Sequence, residues 1–175
     1  AGKNATVLHY VDCQDQLEAG QLLLVDAGCE LDGFTGDVTR TYPIPAPGQK
    51  AQFAREQRQL YDIVLDAQLA AIAAVRPGVT IEELHTLICH RLASGLCALG
   101  LLSGDPASAV ESGALKRFYP HRSSHFLGLD VHDVGRYFPD GAARQLLPGT
   151  VFTIEPGLYV QPDDPLGPAW RGIGI

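Results

Sequence analysis

Methionine is absent from the 175-residue sequence, even at position 1. The last five residues, RGIGI, look like the start of a strand, so the sequence stops within an apparent element. A chain cut from a longer one accounts for both features. We therefore expect residues 1–175 to form one domain that is incomplete at both ends.

Three further signals are missing. No apolar run is long enough to span a bilayer, and no cluster of Lys and Arg forms a nucleic-acid-binding patch. The first ten residues, AGKNATVLHY, lack the basic and then apolar pattern of a signal peptide. Hydrophobic residues make up 46%, enough to bury a core, and the formal net charge is −7. We predict a globular cytoplasmic protein that binds neither nucleic acid nor membrane.

The four cysteines form no CxxC pair and match no zinc-binding spacing. Free thiols in a reducing compartment are the simplest interpretation, in agreement with the cytoplasmic prediction. We expect them to be buried. They are Cys13, Cys29, Cys89 and Cys97.

The hydrophobic pattern predicts an α+β domain. Two strands, joined by a turn near Leu31 and Asp32 where an Asp-Gly pair favours a hairpin, precede two helices. A capping box from Thr80 to Glu83 opens the second helix, and strands then return. This order implies an antiparallel sheet with helices packed on one face. The predicted strands are 21–29, 35–44, 124–132, 151–160 and 171–175, and the predicted helices are 51–75 and 80–99.

Asp26 and Asp37 lie in strands that we expect to be buried on one face, where an uncompensated carboxylate costs several kcal/mol. With the turn near Leu31 and Asp32, they oppose each other about 5 Å apart at Cβ. The two charges repel unless a cation lies between them, and a carboxylate-bridged pair of metal ions is one solution. The alternative is a turn with two solvated aspartates beside Arg40. The hairpin alone favours neither.

Glu155 and a cluster of histidines add to this pattern. Glu155 lies in the apolar stretch FTIEPGLY, where a structural salt bridge is the simpler interpretation. His121, His125 and His132 fall within twelve residues. The spacing of the first two suits a helix, but no HExxH glutamate lies between them and Gly128 disfavours a helix. Carboxylates with a single imidazole suit divalent ions such as Mn²⁺, Co²⁺ or Zn²⁺.

Four motifs resemble the catalytic domain of the aminopeptidase P (Xaa-Pro aminopeptidase) family, a branch of the pita-bread metallopeptidases. They are LVDAGCELDGFTGDVTRTYP, HFLGLDVHDVG, FTIEPGLY and RGIGI. The resemblance implies a pita-bread fold and removal of the N-terminal residue from peptides with proline in second position. Prolidase, which splits Xaa-Pro dipeptides, is the alternative within the same chemistry. A pita-bread protein that has lost catalysis and serves as a binding module is the alternative outside it.

The resemblance also implies a set of metal ligands. Asp26 would hold one of two divalent ions, Asp37 would bridge both, and His125 and Glu155 would hold the second. Mn²⁺ is the favoured ion, and Co²⁺ and Zn²⁺ share these ligands. In the family a fifth ligand, a bridging glutamate, follows the RGIGI stretch, and this sequence ends at Ile175. We therefore expect a partial catalytic domain without the fifth ligand, the first helices or the separate N-terminal domain.

The remaining histidines divide into two groups by the same resemblance. His132 would contact the substrate and assist proton movement, and His121 would lie near the substrate. His9 would line the pocket for proline. His85 and His90 fall on a predicted helix, and we interpret them as structural or solvated. The partner implied is a proline-containing peptide, and a homo-oligomer would be ordinary for the family.

Overall fold

The fold is described by a computed structural model that covers residues 1–175. Short strands precede two long helices and follow them, as the sequence pattern predicts. Short 3₁₀ turns occur at Gly2–Thr6, Ala114–Arg117 and Pro139–Gly141. The strands are β1 (Leu22–Ala27), β2 (Glu30–Leu31), β3 (Phe34–Thr35), β4 (Val38–Pro43), β5 (Tyr159–Val160) and β6 (Ile173–Gly174), and the helices are α1 (Arg55–Ala74), α2 (Ile81–Ala98) and α3 (Pro106–Glu111).

The two long helices pack directly against each other. The α1 helix starts four residues later than predicted, and α2 lies within one residue of its predicted bounds. Thr80 and Glu83 form the expected capping box, because Thr80 Oγ1 accepts from the Glu83 N–H at 3.1 Å and the Glu83 carboxylate accepts from the Thr80 N–H at 2.7 Å. A Cβ on Gly95 of α2 would lie only 2.6 Å from Ile63 Cγ1 of α1, so glycine permits this close approach.

The hairpin register differs from the predicted one. Asp32 and Gly33 both have positive φ, 52° and 85°, and they form the two-residue turn that an Asp-Gly pair favours. The turn therefore lies one residue later than predicted, and Asp26 pairs with Thr39 rather than Asp37. Shifting a register by two keeps every side chain on its face. Asp26 and Asp37 thus remain on one face as diagonal neighbours, at a usual spacing of about 7–8 Å.

Two predicted strands are shorter than the pattern suggested. Residues 151–155 run antiparallel to 123–127, with hydrogen bonds from Glu155 N to Ser123 O at 2.9 Å and from Leu127 N to Val151 O at 3.2 Å. This pairing ends at Glu155, and the next strand, β5, pairs with β6 rather than with residues 123–127. The prediction of regular strands across 124–132 and 151–160 was therefore wrong in extent. The prediction of antiparallel strands was right.

The cysteines are all free, but only one is buried. Cys89 is buried, Cys97 is half-buried, and Cys13 and Cys29 are exposed, so the prediction of four buried thiols was wrong for three of them. No helix of the structure has the length and apolarity that a membrane span requires.

Candidate metal centre and active site

One cavity of about 1290 Å³ collects the candidate residues. The β1–β4 hairpin forms one wall, and the paired segments at 123–127 and 151–155 form another. Residues far apart in the sequence therefore meet at one surface. The cavity is lined by all seven residues singled out from the sequence, namely His9, Asp26, Asp37, His121, His125, His132 and Glu155.

His125 lies at the centre of the most tightly organised part of this cavity. Its Nε2 is 3.1 Å from Asp37 Oδ2 and 3.1 Å from Glu155 Oε1, and its side chain is only 13% exposed. Its Nδ1 lies 3.0 Å from the carbonyl of Phe126, which can only accept, so Nδ1 carries the proton. Nε2 then faces two carboxylates. A positive charge at this point, either a proton on Nε2 or a metal ion, would offset the two negative charges.

This donor set fits a divalent metal ion. Neighbouring ligands on an octahedron with bonds of about 2.1 Å lie about 3.0 Å apart, close to both of these separations. A histidine ligand also commonly donates its second ring N–H to a backbone carbonyl, as His125 does. No group of three or more such side chains is already arranged around a common point as the ligands of an ion would be. The carboxylates instead converge on Nε2 itself. The chemistry of the donors suits a divalent ion, but their arrangement is that of hydrogen bonds to Nε2 rather than of ligands around an ion.

Asp26 belongs to the same cavity but not to the His125 cluster. Its Oδ1 accepts a hydrogen bond from Thr39 Oγ1 at 3.1 Å, across the β1–β4 ladder. The second carboxylate oxygen has no hydrogen bond within the protein. The bond to Thr39 holds the carboxylate on the face that also carries Asp37. The pair therefore occupies one wall, with a wider separation than direct opposition would give.

Thr153 was not identified from the sequence, yet it joins two of the candidate ligands. Its hydroxyl donates to Glu155 Oε1 at 2.7 Å and accepts from the backbone N–H of His125 at 3.0 Å. The threonine therefore fixes the glutamate relative to the backbone that carries the histidine. The alternation of FTIE could have suggested this role, because residues two apart on a strand share a face.

Two further histidines flank this cluster. The His132 ring meets the His125 ring edge-on, with 4.3 Å between the ring centres. His121 Nδ1 donates to the Arg122 carbonyl at 2.7 Å, so its Nε2 accepts from the Tyr159 hydroxyl at 3.0 Å. Burial, with smaller contributions from nearby carboxylates, raises the pKa of Tyr159 to about 12. Tyr159 therefore remains a hydroxyl donor throughout the neutral range.

The other three histidines form no hydrogen bond or ion pair with Asp26, Asp37 or Glu155. His9 is exposed on the cavity wall, beside Val7 and Leu8. His85, on α2, faces Ser123 Oγ at 2.6 Å, and burial and then the charge of Arg122 lower its pKa. His90 is exposed on the same helix and lines no part of the cavity. His9 therefore lines the cavity together with His121, His125 and His132, whereas His85 and His90 do not.

The sequence matches metallopeptidase family M24 across residues 1–175. The chain belongs to metallopeptidase family M24. It is 43% identical over 175 residues to Xaa-Pro aminopeptidase of Escherichia coli K12, covering 100% of this chain and 38% of that protein. It is also 41% identical to Xaa-Pro aminopeptidase of Haemophilus influenzae, covering 99% of this chain and 39% of that protein. This M24 chain thus spans little more than a third of the length of these relatives.

Solved structures agree with this M24 assignment. Pseudomonas aeruginosa aminopeptidase PepP superposes with a TM-score of 0.94 at 42% identity, covering 99% of this chain and 38% of that one. Zinc-substituted Escherichia coli aminopeptidase P in complex with product gives 0.92 at 43% identity, with the same coverage. The agreement confirms the α+β, pita-bread fold expected from the resemblance, over the residues of this chain.

Proposed function

We propose that the protein is a metal-dependent aminopeptidase that releases the N-terminal residue from peptides with proline in second position. The observation that carries the proposal is the convergence of His125 Nε2, Asp37 and Glu155 in a cavity that also holds the other candidate residues. The similar proteins named as Xaa-Pro aminopeptidases support the peptide specificity.

The spacing of the site residues supports the same assignment. Alanine variants of the matched Escherichia coli aminopeptidase P replace a histidine, an aspartate and a second aspartate that are seventeen and then eleven residues apart. His9, Asp26 and Asp37 have these spacings. Two further variants replace histidines eleven residues apart, as His121 and His132 are. We take these positions as equivalent.

Two divalent ions are part of the proposal, with Mn²⁺ favoured and Co²⁺ or Zn²⁺ able to use the same donors. Asp26 would hold one ion, Asp37 would lie between the two, and His125 and Glu155 would hold the other. When bound, such ions polarise the scissile carbonyl and lower the pKa of a water molecule. Thr153 keeps Glu155 from rotating away from this position, because its hydroxyl holds Oε1 at 2.7 Å.

The chain's own residues would supply proton transfer and substrate position. Cleavage before proline releases a secondary amine, whose nitrogen must gain a proton. The imidazole of His132, exposed on the cavity wall beside His125, is the group proposed to deliver it. Proline has no amide hydrogen, so its subsite needs an apolar surface rather than an acceptor. His9, with Val7 and Leu8, provides such a surface.

Peptide cleavage by the whole protein tests this proposal. The protein would be incubated with Ala-Pro-Ala, Ala-Ala-Ala and the dipeptide Ala-Pro, each with and without Mn²⁺. Release of alanine from Ala-Pro-Ala alone, dependent on metal, is the expected result. Cleavage of the dipeptide alone would reassign the protein as a prolidase. Failure to cleave all three, with metal demonstrably bound, would favour a non-catalytic binding protein.

A further inference from the structure

Arg122 carries the one permanent positive charge on the cavity wall. We propose that its guanidinium binds the C-terminal carboxylate of short peptide substrates, an inference that rests on the proposed peptidase function. The charge of the wall is otherwise negative, which suits the ammonium end of a peptide but repels its carboxylate end. The acidic side chains on the wall are Asp26, Glu30, Asp37, Glu82 and Glu155.

The Arg122 guanidinium is oriented by one partner, and most of its N–H donors have none. Its Nη2 donates to the Glu82 carboxylate in the first turn of α2. Nε and Nη1 have no partner within the protein, and the Arg122 side chain is 54% exposed. Arginine presents five N–H donors in a planar fork, so one edge can bind Glu82 while another binds a second carboxylate. The contact with Glu82 thus orients the group without consuming its donors.

The reach of Arg122 selects for peptide length. It lies three residues before His125, so their Cα atoms are at most about 10 Å apart along the chain. In a tripeptide cut after its first residue, the terminal carboxylate lies two residues, or at most about 7 Å, beyond the scissile carbonyl. An arginine side chain close to the cluster can span such a distance. The carboxylate of a much longer peptide would extend beyond it.

The competing role for Arg122 is to pin the 120–124 segment to α2 through Glu82. The two roles predict different results for the two partners. Arg122→Gln removes both the ion pair with Glu82 and the positive charge of the guanidinium. Glu82→Gln removes the ion pair but keeps the guanidinium charge, which is then free of its carboxylate partner. If Arg122 binds the substrate, only Arg122→Gln should weaken binding, because binding depends on the positive charge. If Arg122 only holds the segment in place, the two variants should behave alike, because both lose the ion pair.

The test compares Ala-Pro-Ala with its C-terminal amide in the whole protein, measured as the ratio of kcat/KM for acid over amide. Arg122→Gln should lower this ratio about tenfold, mainly through KM, which is the scale of one charged hydrogen-bond contact. Glu82→Gln should leave the ratio unchanged or raise it. Arg122→Lys, which keeps the charge without the fork, should give an intermediate value. Thermal unfolding of each variant reports whether it folds.

The outcomes separate the inference from the function on which it rests. An unchanged ratio in Arg122→Gln, or equal losses on acid and amide in both single variants, would overturn carboxylate binding while leaving the peptidase intact. An unmodified protein that cleaves neither the acid nor the amide would refute the proposed function instead. If Arg122→Gln does not fold, the ratios of Arg122→Lys and Glu82→Gln decide the question.

Discussion

Of the glycines around the candidate site, Gly28 has the least room for a side chain. A Cβ on Gly28 would lie 1.8 Å from the Gly36 carbonyl oxygen, whereas ordinary contacts begin near 3.4 Å. The Gly28→Ala variant must therefore open the hairpin by about 1.6 Å, and neither backbone can yield as a flexible side chain would. Gly36 directly precedes Asp37, and Gly28 follows Asp26 by two residues. Both carboxylates would move with the displaced strands.

The size of the effect follows from this displacement. Overpacking of this kind costs about 1–3 kcal/mol of unfolding free energy. A misplacement of about 1 Å at a reacting centre costs about a hundredfold in rate. We therefore expect Gly28→Ala to lower kcat/KM on Ala-Pro-Ala by about two orders of magnitude and to lower the melting temperature. Both would be measured in the whole protein, by peptide release and by thermal unfolding.

Gly36→Ala is the matched control across the same ladder. The nearest atom to a Cβ on Gly36 is the Cys29 carbonyl oxygen at 3.6 Å, an ordinary contact, and its φ lies outside the left-handed region. This variant should keep kcat/KM within a few-fold of that of the unmodified protein. Equal damage from the two substitutions would refute the steric reasoning, as would an undamaged Gly28→Ala.

Three further predictions concern the hydrogen bonds around the site. Thr153→Val should lower kcat/KM about tenfold or more, since a hydrogen bond to a charged group is lost, and Thr153→Ser should restore it. His85→Ala should cost about 1 kcal/mol of stability through its lost bond to Ser123 and leave kcat unchanged. The raised pKa of Tyr159 stabilises the fold below pH 10, and this contribution is lost as pH rises from about 10 to about 12. Unfolding free energy should therefore fall more steeply there in the unmodified protein than in Tyr159→Phe.

Each of these has a result that would contradict it. Thr153→Ser as inactive as the valine variant would show that the hydroxyl is not what matters. A fall in kcat for a folded His85→Ala would mean that this histidine acts in the reaction. If the unfolding free energy of Tyr159→Phe and of the unmodified protein fell equally steeply at high pH, ionisation of Tyr159 would not contribute to stability there.

The helices could be predicted from the sequence because their signals are local. Thr80 and Glu83 lie three residues apart, and a capping box depends on nothing beyond that turn. The candidate ligands came from the resemblance to the aminopeptidase P family, and the expectation that Asp26 is buried was wrong, because this residue is exposed at the cavity. The structure brings all of these residues to one cavity.

Contacts between residues far apart in the sequence were harder to predict from the sequence. The hairpin register depended on which two residues take positive φ, and placing the turn at Asp32 and Gly33 rather than one residue earlier moved Asp26 opposite Thr39. The contact between Glu82 and Arg122 joins positions forty residues apart, and no periodicity reports such a pair. Their roles became visible only once α2 was placed beside the 120–124 segment.

Metal content of the Asp37→Asn variant tests the central claim most directly. A neutral amide bridges two cations poorly, so the variant should fold, bind fewer divalent ions per chain than the unmodified protein, and lose metal-dependent cleavage of Ala-Pro-Ala. Elemental analysis after dialysis against Mn²⁺, together with the cleavage assay on the same sample, gives both quantities. Unchanged metal content with near-normal turnover would contradict the assignment of Asp37 as the bridging ligand, and with it the dinuclear site.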